Sequence, residues 1–228
     1  MARAISLPPV IFFDAVGTLL HPEPSAPAVY AVVGRRFGSR LDEAAIAARF
    51  RAAFQRQEEV DRAAGLRTDE EREIARWRSI VREVLDDVSD MEGCFQELYA
   101  HFVGAGSWAC APETADVLGT LAARGHMLGI ASNFDHRLRG LAEQLPALRP
   151  ILHLVISSEI GWRKPAPAFF AEMCRQAGSP ADRILYVGDD RLNDYEGARA
   201  AGLRAMLIAP HSGVIGSETY IKNLSDLL

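Results

Sequence analysis

Cysteine is scarce in this 228-residue sequence, and its three cysteines lie far apart, at Cys94, Cys110 and Cys174. An odd number of distant cysteines without a CxxC spacing argues against a disulfide framework and against a structural zinc site. We therefore interpret them as free thiols, the normal state in a reducing compartment, and predict a cytoplasmic protein.

The sequence also lacks long hydrophobic runs and an excess of positive charge. The N-terminal stretch MARAISLPPVIFF has one Arg, two Pro and too short an apolar run for a signal peptide or a membrane span. The net charge is −5, whereas nucleic-acid-binding domains usually carry a basic excess. These absences argue against a membrane partner and against a nucleic-acid partner.

What is present is a globular composition, with 49% hydrophobic and 24% charged residues and ample length for a full core. The apolar run Val10–Phe13 predicts a buried strand of a parallel sheet. After Leu20 the proline-rich stretch HPEPSAP indicates a linker or hinge. From about Ala26 to about Gly104 the sequence offers no good strand candidate, and four helical patterns fill the region.

Local signals predict where two of these helices begin. Asp42 is expected to cap the second helix, and Thr68, with Glu71 three residues later, forms a capping box that should open the third. The charged runs FQRQEE and TDEERE are expected to be solvated helix faces. Trp77 and Trp108 are expected to serve in packing rather than as substrate platforms.

Beyond Gly104 the patterns of strands and helices alternate. The predicted strands are HMLGIAS, LHLVISS, RILYVG and RAMLIA, and the predicted helices are PETADVLGTLAARG, DHRLRGLAEQL, PAFFAEMCRQAG and LNDYEGARAAG. Alternation of this kind predicts βαβ units, and therefore an α/β fold with a doubly wound parallel sheet. We expect residues 1–20 and 106–228 to form this core and residues 21–105 to form an inserted helical domain.

The carboxyl ends of the predicted strands carry the candidate functional residues, because ligands of doubly wound sheets bind at that edge. The residues expected there are Asp14, Ser132, Asn133, Ser157, Ser158, Asp189 and Asp190, with Lys164 a few residues beyond a strand. Lysine is otherwise almost missing from the chain, since Lys222 is the only other one. Lys164 is therefore a candidate in spite of the rule that most lysines are solvated.

Acidic residues dominate this edge. Asp14, Asp189, Asp190 and Asp194 would repel one another unless a cation lay between them. Hard oxygen ligands with few nitrogens or thiols suit Mg²⁺, which usually shares its coordination with a substrate phosphate. The cluster therefore predicts a Mg²⁺ site and a small phosphorylated metabolite as the substrate.

The remaining residues at the edge suit a phosphoryl group. Thr18 and Ser132 offer hydroxyl groups, the turn at Gly17 offers backbone N–H groups, and Lys164 offers a compact positive charge. Such a set stabilises the charge spread over phosphoryl oxygens, and it would leave Asp14 free to attack phosphorus. The alternative is that Asp14 only caps a turn or a helix and that Ser132-Asn133 is only a helix N-cap.

Four short motifs in order identify a resemblance. They are DAVGTL at 14–19, ASN at 131–133, Lys164-Pro165 and GDDRLND at 188–194. With these motifs the chain resembles the haloacid dehalogenase (HAD) superfamily, in the branch that carries an α-helical cap between the first two motifs. The resemblance covers essentially the whole chain and implies a Rossmann-like core with a cap that closes over the substrate.

The resemblance also implies a role for each matching residue. The implied catalytic residues are Asp14 as the nucleophile that forms an aspartyl intermediate, Lys164, Thr18 and Ser132. The implied substrate contacts are Gly17 and Asn133. The implied Mg²⁺ ligands are Asp14, the backbone carbonyl of Val16, Asp189, Asp194 and, in a first or outer shell, Asp190. Family phosphatases carry Asp at the position of Val16, where it protonates the leaving group and then activates water.

Val16 leaves three interpretations open, since loss of a general acid/base costs about 10²–10⁴ in rate. The first is a phosphatase with weak or restricted activity, which favours good leaving groups such as acyl or aryl phosphates, or which uses His21 or Glu23 from the hinge. The second is a 2-haloacid dehalogenase, and the third is a non-catalytic ligand-binding protein. The resemblance implies that phosphonate cleavage would need a lysine of the cap as a Schiff base, and residues 21–105 contain no lysine, so this chemistry is excluded. Either a monomer or a homodimer is compatible with the sequence.

Overall fold

A parallel sheet organises this computed structural model, which describes residues 7–209 and 220–228. The strands in the described part are β1 (Val10–Phe13), β2 (Leu20–Pro22), β3 (Trp108–Cys110), β4 (Met127–Ser132), β5 (His153–Ile156), β6 (Ile184–Gly188), β7 (Arg204–Ile208) and β8 (Tyr220–Ile221). All except β2 and β3 form one sheet in the order β5-β4-β1-β6-β7-β8, with every pair parallel.

Strand β1 lies in the middle of the sheet and is buried on both faces. Its residues Ile11 and Phe13 pack into one hydrophobic core, whereas Val10 and Phe12 pack into the other, as the alternation of side chains along a strand requires. The chain adds β4 and β5 on one side of β1 and then β6 and β7 on the other, so the strand order reverses at β1. The crevice for a ligand is therefore expected where β1 ends.

Helices cover the sheet and also form a separate layer. The described helices are α1 (Ala26–Arg36), α2 (Glu43–Ala63), α3 (Glu70–Val84), α4 (Met91–His101), α5 (Thr114–Ala123), α6 (Arg137–Gln144), α7 (Ser157–Ile160), α8 (Pro167–Ala177) and α9 (Gly197–Ala200). Helices α5 and α6 pack on one face of the sheet and α8 and α9 on the other. The predicted α/β class with a doubly wound parallel sheet is confirmed. Helices α1 to α4 share a third hydrophobic core of their own.

The helix starts follow the sequence signals in one case and not in the other. Asp42 caps α2 as predicted, with Oδ1 accepting the N–H of Ala45 at 2.8 Å. The predicted capping box at Thr68 and Glu71 is wrong, because Asp69 is the cap of α3. The hydroxyl of Thr68 instead donates to Glu73 at 2.7 Å in a buried contact.

A short antiparallel pair, β2 with β3, was not predicted. Leu20 lies opposite Cys110 and Pro22 opposite Trp108, at the two ends of the helical segment. The prolines in this stretch indicated a hinge, and each strand has only three residues, too few for a periodic pattern. The domain boundaries near residues 20 and 106 stay a prediction.

Three other elements differ from the predicted ones. Strand β5 ends at Ile156, so that Ser157 and Ser158 begin the short helix α7. The predicted helix over LNDYEGARAAG is a wide π-type turn at Arg191–Glu196 followed by α9. Strand β8 extends the sheet beyond the last predicted strand.

No helix within residues 7–209 and 220–228 is long and apolar enough to cross a membrane. Residues 1–6, which belong to the stretch used to argue against a leader sequence, lie outside the described residues.

Candidate active site

Asp14 occupies the carboxyl end of β1, where its backbone N–H donates to the carbonyl of Val187 at 2.8 Å. The chain then turns tightly, and Gly17 has φ +91°. A Cβ atom on Gly17 would lie 2.3 Å from Oδ2 of Asp189, so only glycine fits both the backbone conformation and the space. The N–H of Gly17 donates to the carbonyl of Leu20 at 2.9 Å. It is therefore occupied within the turn, contrary to the prediction that it faces a substrate.

Lys164 connects the buried carboxylates. Its Nζ donates to Oδ1 of Asp14 at 2.8 Å and to Oδ1 of Asp194 at 2.6 Å, and its side chain is 2% exposed. Nζ also donates to the hydroxyl of Tyr186 at 2.8 Å, and that hydroxyl donates to the carbonyl of Ala131. The predicted residues Asp14, Lys164 and Asp194 are thus brought together. Tyr186 was missed because it looked like one more residue of a buried strand, although a buried Tyr hydroxyl needs a partner.

The charge of Lys164 is fixed by this arrangement. Burial lowers the pKa of an ammonium group, but here the carboxylates of Asp14 and Asp194 outweigh burial and raise the pKa of Lys164 well above its ordinary value. Burial and these same charges also keep Tyr186 protonated by raising its pKa. Lys164 is therefore a permanent positive charge beside Asp14.

Three carboxylates form a compact acidic cluster. Oxygen atoms of Asp14, Asp189 and Asp194 all lie within 4.8 Å of one another. Partial burial of its carboxylate and the negative charge of Asp14 raise the pKa of Asp189 to about 6, although the residue is exposed at the rim. Burial also raises the pKa of Asp194 against the opposing effect of Lys164. Self-repulsion of this kind and an all-oxygen donor set fit a hard divalent cation such as Mg²⁺.

Asp190 and Thr18 support the cluster from outside. Asp190 caps the turn that follows β6, with Oδ1 accepting the N–H groups of Leu192 and Asn193 at 2.8 and 2.7 Å. Its carboxylate is not one of the three clustered groups, so the geometry does not bring it to the predicted metal position. The hydroxyl of Thr18 donates to Oδ1 of Asp189 at 3.1 Å.

Ser132 is the last residue of β4 and Asn133 directly follows it, so both lie at the predicted end of this strand. Ser132 is buried and lines the same cavity as Asp14. Asn133 holds the backbone of Lys164 on both sides, since its Oδ1 accepts the Lys164 N–H at 2.7 Å and its Nδ2 donates to the Lys164 carbonyl at 3.1 Å. The alternative role of Asn133 as a helix N-cap is wrong, because His136 precedes α6 without a side-chain cap.

A cavity of about 330 Å³ lies between this cluster and the helices α2 to α4. Val16 lines it together with Asp14, and Trp77 and Trp108 contribute to its walls. His21 and Glu23 do not line this cavity. Nε2 of His21 lies 3.9 Å from a carboxylate oxygen of Glu23, and His21 lines a second cavity that Val16 also lines.

A buried ionic network joins the helical segment to the residue before Lys164. The guanidinium of Arg163 pairs with Glu73, and its Nε lies 3.3 Å from Asp61. Nε of Arg76 donates to Asp61 at 2.9 Å. Glu73 and Arg76 are 2% and 5% exposed, so the prediction of a solvated face is wrong for this side of α3. The apolar periodicity of α3 did not reveal this, because Glu73 and Arg76 are buried although they are charged.

Comparison with known proteins agrees with this architecture. A family model of haloacid dehalogenase-like hydrolases matches residues 8–202. The chain is 26% identical over 212 residues to haloacid dehalogenase-like hydrolase domain-containing protein 3 of Danio rerio, covering 89% of this chain and 86% of the relative. It is 29% identical over 210 residues to a phosphoglycolate phosphatase of Rhodospirillum rubrum, covering 89% of this chain and 80% of that protein.

Solved structures share the fold at low sequence identity. The magnesium-bound HAD-hydrolase YfnB from Bacillus subtilis superimposes with a TM-score of 0.75 at 20% identity, covering 97% of both chains. The L-2-haloacid dehalogenase RSc1362 gives a TM-score of 0.74 at 18% identity, also over 97% of both chains. Because the family model spans most of its length, the chain belongs to the haloacid dehalogenase-like hydrolase family.

Proposed function

We propose that the protein is a Mg²⁺-dependent phosphatase that acts through an aspartyl intermediate on Asp14, with an activity restricted by Val16. The observation that carries the proposal is the single ammonium of Lys164 bound to both Asp14 and Asp194 within a cluster of three carboxylates. A nucleophile, a fixed positive charge and a hard-cation site at one strand end are the parts that phosphoryl transfer needs. The substrate we propose is a small phosphorylated metabolite.

The residues of the chain would perform the first step as follows. A carboxylate oxygen of Asp14 attacks phosphorus, and the bond between phosphorus and the leaving oxygen breaks with its electron pair on that oxygen. Lys164 balances the charge of Asp14 and of the phosphoryl group. The hydroxyl groups of Thr18 and Ser132 are the proposed donors to the phosphoryl oxygens, and Asn133 positions Lys164 through the backbone.

The acidic cluster fits Mg²⁺ by its chemistry and its spacing. Asp14, Asp189 and Asp194 would hold the ion together with the backbone carbonyl of Val16, and Asp190 would stay the cap of its turn. When bound, a divalent cation neutralises charge on the phosphoryl oxygens. The presence of magnesium in the related YfnB structure is consistent with this part of the proposal.

Val16 affects the two half-reactions differently. Attack by Asp14 needs no acid at position 16, provided that the leaving oxygen is stable without a proton. Hydrolysis of the aspartyl phosphate needs an activated water, and neither His21 nor Glu23 lines the cavity of Asp14. We therefore expect the second step to be the slow one.

A dehalogenase is the alternative, and it is favoured by the apolar Val16 beside Asp14 and by the resemblance to L-2-haloacid dehalogenase folds. In that reaction Asp14 would attack carbon and displace a halide, and the acidic cluster would have no task. Turnover of 2-haloacids without metal, and none of phosphate esters, would support this alternative.

The test of the proposal is Mg²⁺-dependent release of 4-nitrophenolate from 4-nitrophenyl phosphate. We expect Asp14→Asn and Lys164→Ala to abolish it, whereas Lys222→Ala, at the only other lysine, should match the wild type. A crystal soaked with Mg²⁺ and beryllofluoride should carry an adduct on Asp14. Activity that survives Asp14→Asn, or that does not respond to chelation of Mg²⁺, would refute the proposal.

A further inference from the structure

The cavity above Asp14 is walled by aromatic rings. Six aromatic residues that line it come from helices α2, α3 and α4, from strand β3 and from the loop after β4: Phe54, Trp77, Phe95, Tyr99, Trp108 and Phe134. Its volume of about 330 Å³ is at the small end of known ligand pockets, which suits a ligand the size of one ring with its phosphate. Flat aromatic walls favour a flat aromatic ligand, because ring pairs add to the effect of apolar burial.

Two hydrogen-bond donors in this wall have no partner among the described residues. One is Nη2 of Arg76, whose side chain is 4% exposed, and the other is the hydroxyl of Tyr99. A buried donor without a partner is unfavourable, because it has lost its hydrogen bonds to water. An acceptor oxygen on a ligand in the cavity would satisfy such a donor.

The charged residues of this wall already pair with one another, so a ligand in the cavity need not be an anion. Asp61 lies beside both Arg76 and Arg163, and Glu73 pairs with Arg163. Glu58 lies 3.7 Å from Nη2 of Arg76, too far for a hydrogen bond. The two donors therefore need a hydrogen-bond acceptor, and either a neutral carbonyl or a carboxylate can supply it.

Val16 also restricts the leaving group, and like the cavity walls it favours an aromatic one. Phenolate oxygens are far more stable without a proton than alkoxide oxygens, so an aryl phosphate can react with Asp14 although position 16 holds no acid. The side chain of Val16 lines the cavity and extends its apolar surface to the cluster. The missing acid and the aromatic walls thus select the same class of compound.

From these observations we infer that the substrate is an aryl phosphate whose ring carries a carbonyl or carboxylate oxygen that accepts from Tyr99 and Arg76. This inference rests on the proposed phosphatase function. In the reaction, Asp14 forms a bond to phosphorus, the bond from phosphorus to the phenolic oxygen breaks, and the phenolate leaves with the electron pair. Water then attacks phosphorus, the bond from phosphorus to the Asp14 oxygen breaks with its electron pair on the carboxylate, and the proton of the water passes to phosphate or solvent.

Four phosphate esters test the inference: cyclohexyl phosphate, phenyl phosphate, 4-acetylphenyl phosphate and 4-carboxyphenyl phosphate. We expect phenyl phosphate to exceed cyclohexyl phosphate by about 10²–10⁴ in kcat/KM, the contribution of a missing acid. Tyr99→Phe should lower kcat/KM about 10-fold for the two acceptor-bearing rings and leave phenyl phosphate unchanged. Comparing each variant with the wild type on the same ester cancels the intrinsic reactivity of the leaving group.

Tyr99→Phe is the decisive variant because the hydroxyl it removes has no partner within the described residues, so folding loses no hydrogen bond. Arg76→Gln is the second variant, and Tyr220→Phe, at a tyrosine that does not line the cavity, is the matched control. The acetyl and carboxylate esters separate a neutral acceptor from a charged one. Equal losses on all four esters, or none with either variant, would overturn the inference while the phosphatase proposal stands.

A binding measurement keeps the inference testable if no ester is hydrolysed. Trp77 and Trp108 line the cavity, so their fluorescence should report binding of 4-hydroxybenzoate and 4-hydroxyacetophenone. We expect both to bind about 10-fold more weakly to Tyr99→Phe, and phenol to bind equally to both proteins. Such a result without turnover would support the aromatic site and refute the phosphatase proposal. Failure of both compounds to bind would overturn the inference.

Discussion

At the scale of single residues, Asp14 and Val16 stand two positions apart at the foot of one cavity. Asp14 is held next to Lys164 by a hydrogen bond of 2.8 Å, whereas Val16 offers only an apolar surface. The site is therefore equipped for nucleophilic attack and poorly equipped for proton transfer. This difference predicts a particular kinetic pattern.

The prediction is a burst of product followed by slow turnover. With 4-nitrophenyl phosphate, the wild type should release about one equivalent of nitrophenolate per site quickly, and then turn over at the rate of aspartyl-phosphate hydrolysis. Val16→Asp should remove the burst and raise the steady-state rate by about 10²–10⁴, the contribution of an acid/base. Val16→Asn, similar in size but unable to carry the proton, is the matched control. A burst that persists in Val16→Asp would show that something other than the acid limits the second step.

The central site residues could be predicted from the sequence because they follow strands directly. Ser132 is the last residue of β4, and Asp14 and Asp189 directly follow β1 and β6. Parallel strands bring their carboxyl ends to one edge. Tyr186 could not be predicted to contact Lys164, since that contact depends on the packing of a residue inside a strand. The burial of Glu73 depends on contacts between segments 90 residues apart in the chain.

At the scale of elements, α3 and the loop before it dock the helical segment onto the sheet. Thr68 donates its N–H to the carbonyl of Gly161 at 3.3 Å, and Arg163 donates its N–H to that of Leu66 at 2.9 Å. The guanidinium of Arg67 lies 3.6 Å from the ring centroid of Trp162. These contacts end one residue before Lys164, so the docking of the helices and the position of the central lysine are coupled.

We predict that Glu73→Gln lowers the free energy of unfolding by about 3 kcal/mol, because it removes one of the two carboxylates that pair with the buried guanidinium of Arg163. Glu97→Gln removes the carboxylate of a solvent-exposed pair with Arg36 and should cost less than about 1 kcal/mol. Urea unfolding of the two variants, followed by circular dichroism, measures the difference. Equal costs would mean that the buried network contributes no more than a surface pair.

At the scale of the whole molecule, the sequence predicted the main strands and helices of the fold better than its shortest elements. The alternation of strands and helices indicated the parallel sheet, because short continuous apolar runs between segments of helical periodicity are strong signals. Strands β2, β3 and β8 escaped prediction, since two or three residues carry no period. The wide turn at Arg191–Glu196 was read as helix because its composition is helical and its hydrogen-bond spacing is not visible in sequence.

The effect of Mg²⁺ on the thermal stability of the whole protein should depend on pH, because the proposed metal site contains a titrating carboxylate. In the folded protein the pKa of Asp189 is about 6, above its ordinary value of 3.8, so the metal-free protein gains stability from this group as pH falls from about 6 to about 4. Mg²⁺ binds the ionised carboxylate and must displace that proton. We therefore expect the rise in Tm produced by Mg²⁺ to be large at pH 7.5 and to shrink below pH 6.

The control for this prediction is Asp189→Asn, which should show little Mg²⁺ effect on Tm at either pH. Differential scanning calorimetry with and without Mg²⁺ makes the measurement. A Mg²⁺ effect that grows on acidification, or that is intact in Asp189→Asn, would contradict the assignment of Asp189 as a ligand.

The antiparallel pair of β2 and β3 has a consequence for how such proteins diversify. Pro22 and Trp108 are direct neighbours across the pair, although 85 intervening residues separate them in the chain. Two antiparallel strands can be joined by a two-residue turn, so the chain could pass from β2 to β3 without the helices. The whole segment between them is therefore positioned as an exchangeable cassette. Exchange of this segment would replace walls of the cavity together with Glu73 and the other contacts beside Lys164, whereas Asp14 lies outside the segment.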